Sequence, residues 1–260
     1  MNNVNKTLYI PLYGKAYVSK KGVILKDVKA EEIWEKEGFA LKGRSRSKWL
    51  AYYMGMRSAV FDTWVKQRMD DTDDAIVIHI GCGMDSRVTR VGTKGQKWYD
   101  IDFADVIEER KRYFTASDEY EMLACDVRDN KWLMDISERN RAIIVMEGVS
   151  MYLNIKELQE LFLALSLRFE HITLLMDCYS SYAAKMSKYK NPINDVGVTA
   201  VYGIDDPCIL DKSDLRFAME HSMTPQNLIE ELGGMEKKIF RKLYAGSFAQ
   251  KLYKLYEYRK

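Results

Sequence analysis

Between Ala75 and Tyr179 short, unbroken apolar runs alternate with stretches of helical periodicity, the pattern of a parallel sheet with crossover helices. The runs predict strands over 75–81, 97–102, 120–124, 141–147 and 171–177. Ile143, Ile144 and Val145, then Ile172, Thr173, Leu174 and Leu175, follow one another without a polar break, as in strands covered on both faces. Phe103, Val106, Ile107 and Phe114 share a helical face. Asn154 and Glu157 make a capping box ahead of the stripe Ile155, Leu158, Leu161, Phe162 and Leu165. Upstream, Trp49, Tyr52, Tyr53, Met56, Val60 and Trp64 recur at three-to-four spacing, which predicts a long amphipathic helix over Lys48–Arg68 packed on the sheet as part of a cap. Downstream, Ser180-Ser181-Tyr182 and the turn-prone Asn191-Pro192-Ile193-Asn194-Asp195 read as an exposed helix or a mobile lid. The alternation from Leu252 to Tyr258 predicts an edge strand, and a further strand is expected over Leu215 to His221.

These elements fit one α/β domain with a Rossmann-like, mostly parallel sheet and an antiparallel edge strand. Residues 1–72 form a helical cap segment, 73–178 the core, and 179–260 a lid and the C-terminal strands. With 260 residues, 47% of them apolar, the chain can bury a core of that size. Forty basic against 38 acidic side chains leave a formal charge of +2, which gives no electrostatic footprint for nucleic acid or an anionic membrane. No apolar run reaches membrane-spanning length, and the start lacks the apolar core of a secretion signal, so a cytoplasmic location is expected. Cys82, Cys125, Cys178 and Cys208 lie far apart, without the spacing of a disulfide framework or a zinc site, and read as buried small residues. No metal is expected.

The chemistry concentrates where the first strand ends, in Gly81-Cys82-Gly83-Met84-Asp85-Ser86. Glycines there let backbone approach a ligand closely. A dinucleotide fingerprint wants a third small residue and no carboxylate beside a pyrophosphate, whereas this chain supplies Met84, Asp85 and Ser86. That turns the reading from a nicotinamide dinucleotide toward S-adenosylmethionine.

Ligands of open parallel sheets bind beyond the carboxyl ends of the strands. The second strand ends in Asp100-Ile101-Asp102, and Asp102 lies at the separation from the glycines that suits a ribose ligand, although either aspartate also suits a helix cap. At Asp126-Val127, ending the third, a carboxylate and the next N–H are placed to meet an adenine edge. The fourth ends in Glu147-Gly148, where Glu147 is a candidate for the amino group of the methionine end, with Ser150 and Tyr152 lining the transfer region. Asp85 suits a helix start and can order the glycine turn. His79, inside a strand, reads as a core histidine, and no histidine sits in a triad-like motif.

Four ordered motifs, Gly81-Cys82-Gly83-Met84-Asp85-Ser86-Arg87, Tyr99-Asp100-Ile101-Asp102, Asp126-Val127-Arg128-Asp129 and Glu147-Gly148-Val149-Ser150-Met151-Tyr152-Leu153, together resemble the leucine carboxyl methyltransferase family, in its small-molecule, polyketide-type branch. Tyr202-Gly203-Ile204-Asp205-Asp206 resembles a further segment of that branch. The resemblance implies a class I S-adenosylmethionine-dependent methyltransferase with a helical N-terminal segment folded over the cofactor. It further implies that Lys15 and Arg57 hold the cofactor's carboxylate, a charge that needs cations once shielded from water. The expected reaction is O-methylation of a small-molecule carboxylate or hydroxyl. A carboxylate acceptor needs no general base and a hydroxyl benefits from one, and no residue is nominated for that part. Methylation of a protein's C-terminal carboxylate, an NAD(P)-dependent oxidoreductase and a non-catalytic cofactor-binding protein are the alternatives.

Overall fold

The computed structural model describes residues 8–38, 41, 43–190 and 201–260. Three helices come first: α1 (Tyr9–Lys21), α2 (Val28–Glu37) and α3 (Lys48–Asp70). The alternating part follows as β1 (Ile76–Ile80), α4 (Arg87–Val91), β2 (Trp98–Asp102), α5 (Ala104–Arg110), β3 (Tyr120–Ala124), β4 (Arg141–Met146), α6 (Ile155–Arg168) and β5 (His171–Tyr179). The C-terminal part contains α7 (Ser181–Lys190), β6 (Arg216–His221), α8 (Gln226–Glu230), α9 (Gly234–Tyr244), α10 (Ser247–Leu252) and β7 (Tyr253–Arg259).

The strands form one sheet in the order β3-β2-β1-β4-β5-β7-β6. β1 to β5 are mutually parallel, and β7 runs antiparallel to both of its neighbours. Alternate residues of each central strand feed opposite layers. Val77, Ile143, Val145 and Leu175 pack with the N-terminal helices, whereas Ile76, Ile78, Ile144 and Leu174 pack with Leu158, Leu161, Phe162 and Leu165 of α6. The Asn154–Glu157 capping box that starts α6 is formed in both directions. The long cap helix, α3, starts at Lys48 as expected and runs two residues beyond Arg68.

Three expectations shift. The alternating tail strand is not at the rim, because β6 covers it. Within it Glu257 is fully buried and accepts from the Trp64 indole at 2.9 Å, with His221 Nε2 2.6 Å away. α5 ends at Arg110, short of Phe114, and Phe103 stays exposed; Arg110 turns inward and the chain leaves the helix there. Of the cysteines Cys82 and Cys178 are buried, Cys125 is half-buried and Cys208 exposed. The segment after β5 is a helix, α7, capped by Asp205, which accepts from Ser181 N at 2.8 Å. The turn Asn191 to Asp195 lies outside the described residues. Among the described residues no helix is long and apolar enough to cross a membrane.

Candidate active site

β1 empties into a glycine turn held by β2, since Gly81 N and Cys82 N both donate to Ile101 O, at 2.7 and 3.1 Å. Gly81 and Gly83 have φ of 66° and 51°, in the left-handed region that favours glycine. A Cβ at Gly81 would lie 2.1 Å from Val149 Cγ2, and one at Gly83 would lie 2.8 Å from Leu8 Cδ2, ahead of α1. The start of the cap therefore lies against the turn.

The two aspartates of β2 do different things. Asp102 accepts from Gly83 N and Phe103 N, both at 2.8 Å, and burial raises its pKa. Asp100 faces inward, bonded to Arg110, to the Tyr120 hydroxyl at 2.7 Å and to the Trp98 indole at 2.9 Å. Burial opposes its charge, yet Arg110 beside it draws the pKa down to about 2. His79 lies between Asp100 and Arg87: Nδ1 is 3.3 Å from the carboxylate and Nε2 is 3.0 Å from a guanidinium nitrogen. A guanidinium only donates, so Nε2 accepts and Nδ1 carries the proton. The expectation of a core histidine holds, with Arg87 bonded to one ring nitrogen and the other near Asp100 without a hydrogen bond.

Above the strand ends lies a continuous buried network. Lys15 of α1 pairs with Asp85 at 3.2 Å, and Arg87 and Arg90 meet the same carboxylate at 3.3 and 2.8 Å. Arg90 also binds Asp27 at 2.6 Å, and both arginines bind Asp62 of α3, at 2.8 and 2.6 Å. Glu147 links Arg87 to Arg57, which lies 2.9 Å away, and accepts from the Ser58 hydroxyl at 2.9 Å. Arg57 reaches on to Asp177 and to the Tyr253 hydroxyl, at 2.9 and 2.8 Å. Burial works against every charge here. Arg90, Lys15 and Arg87 nevertheless hold the Asp85 carboxyl well below its usual range, and Arg57 and Arg87 bring Glu147 to about 2. With all groups ionised, Lys15, Arg57, Arg87 and Arg90 face Asp27, Asp62, Asp85, Glu147 and Asp177, leaving one negative charge in excess.

The structure thus brings Lys15, Arg57, Gly81, Gly83, Asp85, Asp102 and Glu147 to one corner. Asp126 and Val127 lie farther out after β3, with Asp126 held by Arg128 and partly open to solvent. Ser150 is buried and its hydroxyl donates to Asp177 O. Sequence reasoning missed Asp27, Asp62, Arg87, Arg90, Asp177 and Tyr253. A signal for Asp177 existed, since the strand-end rule that selected Asp102 and Glu147 applies equally to the Met176-Asp177-Cys178 end of β5. Tyr253 carried none, because β7 runs against the other strands and brings its first residue to their carboxyl ends.

Beside this corner is a cavity of about 610 Å³. Its floor includes the buried Arg57 and Tyr253 with the half-buried Gly148, and its walls include Tyr53, Met151, Tyr152 and Tyr179. Tyr182, Met186, Leu243 and Phe248 also line it and are exposed, which marks the mouth.

The sheet order with its single reversed strand, the glycine turn and the acidic strand ends define a class I S-adenosylmethionine-dependent methyltransferase. The chain belongs to the leucine carboxyl methyltransferase family, whose model matches residues 6–166. It is 25% identical over 241 residues, 91% of this chain and 89% of the relative, to the tetracenomycin polyketide synthesis O-methyltransferase of Streptomyces glaucescens. An S-adenosyl-L-methionine-dependent methyltransferase of Gibberella zeae is 27% identical over 179 residues, covering 63% of this chain and 60% of that one. The fold resembles that of magnesium protoporphyrin IX methyltransferase from Synechocystis with bound S-adenosylhomocysteine, with a TM-score of 0.52 at 10% identity over 95% of this chain and 97% of that one.

The residues present fit the cofactor. S-adenosylmethionine carries a sulfonium, an ammonium and a carboxylate, a net charge of plus one that complements the excess carboxylate of the network. The Asp102 carboxylate, which accepts only backbone N–H groups, keeps lone pairs that suit a sugar's hydroxyls.

Proposed function

We propose that the chain is an O-methyltransferase whose acceptor is a small-molecule carboxylate or hydroxyl. The observation that carries this reading is the open-mouthed cavity, whose lining shares Arg57 with the charge network. A volume of about 610 Å³ suits a metabolite. In this reading Lys15 and Arg57 hold the cofactor's carboxylate, each exchanging part of its present carboxylate contact for it. Glu147 takes the amino group, Asp102 the ribose hydroxyls, and Asp126 with the Val127 N–H the adenine edge. Gly81 and Gly83 permit close approach, and Asp85 orders Lys15 and the turn. Tyr152 lines the acceptor cavity, and Ser150 fixes the backbone of Asp177 beneath it.

The cofactor supplies an electrophilic methyl on sulfur. The chain's own residues align the acceptor oxygen with it and exclude water. The near-neutral balance of the chain, formally +2, gives no electrostatic reason for a nucleic-acid or membrane substrate.

Calorimetry with S-adenosylmethionine, S-adenosylhomocysteine and NAD tests the cofactor site: the first two bind and NAD does not, and a preference for NAD overturns the reading. Methyl-labelled cofactor offered with small-molecule extracts tests the acceptor. The label enters low-molecular-weight products, as base-labile esters from carboxylates or base-stable ethers from hydroxyls. Label found only in protein overturns it.

A further inference from the structure

Beside the acceptor cavity is a second, smaller space of about 260 Å³, and Tyr53, Tyr244 and Tyr253 line both. The two meet at aromatic rings: Tyr53 stacks on Tyr253 and tilts against Tyr244, each at 6.1 Å. A ligand pocket in its own right occupies about 300 to 1,000 Å³. The smaller space falls below that range and the larger lies inside it, so the smaller suits one end of a ligand whose body fills the cavity.

Beyond the rings and Met223, this side pocket is lined by Glu220, His221, Ser222, Thr224 and Gln250. Glu220 accepts from Lys254 at 2.7 Å, Gln250 Nε2 donates to Ala245 O at 3.2 Å, and Ser222 Oγ accepts from Thr224 N at 3.3 Å. Thr224 is 5% exposed, and its hydroxyl has no hydrogen-bond partner among the described residues. Buried hydroxyls are almost always paired, so an unpaired one lining a pocket marks a ligand contact. His221 supplies the complement. Its Nε2 lies 2.6 Å from Glu257, whose charge burial opposes, yet hydrogen bonds from His221, the Trp64 indole and Arg259 bring its pKa to about 2. A carboxylate only accepts, so Nε2 donates and, in the neutral ring, Nδ1 keeps a lone pair that no described residue takes. The other charges about this ring are matched: Glu220 to Lys254, and Glu257 to Arg259 at 2.6 Å with Arg68 3.6 Å away. The pocket therefore selects by hydrogen-bonding pattern and not by charge.

The sheet sets the distance between the two spaces. β7 is antiparallel to both neighbours, so β6 runs parallel to β5, and His221 ends its strand at the same edge as Asp177. Asp177, Leu255 and His221 pair across the three strands in one row. Paired residues share a face and neighbouring strands lie about 4.8 Å apart, so His221 is roughly 10 Å along the row from Asp177, which holds Arg57 and Tyr253. Resting on the acceptor cavity proposed above, we infer that the acceptor reaches into the side pocket and presents there, at the end remote from the methylated oxygen, a neutral hydroxyl that donates to His221 Nδ1 and accepts from Thr224 Oγ1. A hydroxyl has one proton and free lone pairs, the complement of one lone pair and one proton. An ether or a carboxylate at that end lacks the proton. His221 and Thr224 set specificity in this reading and touch no reacting atom.

The test titrates three rigid probes at pH 8 into the full chain saturated with S-adenosylhomocysteine: 4-phenylbenzoate, its 4'-hydroxy derivative and its 4'-methoxy derivative. Each carries a carboxylate for the Arg57 end, and they differ only at the other. The hydroxy probe is expected to bind at least about fivefold more tightly than the parent, a gap of about 1 kcal/mol, and the methoxy probe no more tightly than the parent. Thr224→Val, which keeps the shape, and His221→Phe are each expected to abolish the gain while leaving the affinity for the parent probe unchanged, a selective loss that a purely structural role would not produce. Equal binding of the hydroxy and parent probes, an equal gain from the methoxy group, or a gain that survives either substitution overturns the inference. The comparison in the unaltered protein decides even if a variant does not fold. Binding of none of the three, with S-adenosylhomocysteine bound, sinks the acceptor-cavity reading beneath. Failure of S-adenosylhomocysteine itself to bind sinks the cofactor-site reading, and is read from its own titration.

Discussion

Asp100 and Asp102 lie on the same face of β2, two residues apart, and their surroundings divide the work between them. Asp100 is bonded to Arg110, Tyr120 and Trp98, all inside the protein. Asp102 has only backbone donors, from Gly83 and Phe103. The sequence singled out Asp102 by its separation from the glycines, with a helix cap as the other role open to either aspartate; the inward role of Asp100 depends on Arg110, whose turn no periodicity reveals. Replacing Asp102 by Ala is expected to weaken S-adenosylmethionine binding by about 1 to 3 kcal/mol, roughly fivefold to a hundredfold, and to lower the melting temperature by a few degrees as Gly83 N and Phe103 N lose their acceptor. Asp100→Asn leaves Arg110 as a buried charge without its partner and is expected to cost about 3 to 5 kcal/mol in denaturant unfolding. Calorimetry and unfolding on the two variants check the division. If Asp102→Ala binds the cofactor normally, that residue has no place in the site.

Among the elements, α6 and α3 could be read directly because each carries its own stripe, and α6 also its own cap. The placements of α7 and α9 could not, since both depend on contacts distant in sequence. Gly203 pairs as a bridge with Tyr179, and a Cβ there would lie 2.5 Å from the Ser180 backbone, so this glycine lets the Asp205 cap reach the start of α7. Gly203→Ala is expected to cost about 1 to 3 kcal/mol and to raise hydrogen exchange selectively over α7. Unchanged exchange there would show that the close approach does not hold the helix.

Glu236 at the start of α9 ties that helix to the cap, meeting Lys21 and the Tyr52 hydroxyl at 2.6 Å and Lys48 at 2.8 Å. Hydrogen bonds from Lys21, Lys48 and Tyr52 lower its pKa from 4.5 to about 2. A depressed carboxyl pKa stabilises the fold above the unfolded value and stops doing so as the pH falls through the folded one. The contribution is therefore complete above about pH 4.5 and lost toward about pH 2. Since the carboxylate is partly exposed, Glu236→Gln is expected to cost only about 1 kcal/mol, or about 2 °C in melting temperature, at neutral pH. The gap between variant and parent should close on acidification; a gap independent of pH contradicts the clamp.

On the scale of the whole molecule, the sheet could be read from the sequence because strand ends are local, while the charge network could not, because it is assembled from α1, α3, the glycine turn, α4 and the ends of β4 and β5. On the cofactor placement proposed above, that assembly makes the cap part of the cofactor site. Lys15 reaches Asp85 from α1 and Arg57 reaches Glu147 from α3, so a cofactor bound between them opposes any opening of the cap. Saturation at a hundred times the dissociation constant adds about 2.7 kcal/mol of stability by mass action, which corresponds to roughly 5 to 10 °C. Mass action alone says nothing about where the protection falls; the network does. Hydrogen exchange should slow over α1 and the middle of α3 as well as over the glycine turn. In Lys15→Ala the cofactor should bind more weakly, and the added protection over α1 should shrink more than that over β1. A cofactor that raises the melting temperature while leaving α1 exchange untouched would place the cap outside the site and remove Lys15 from it.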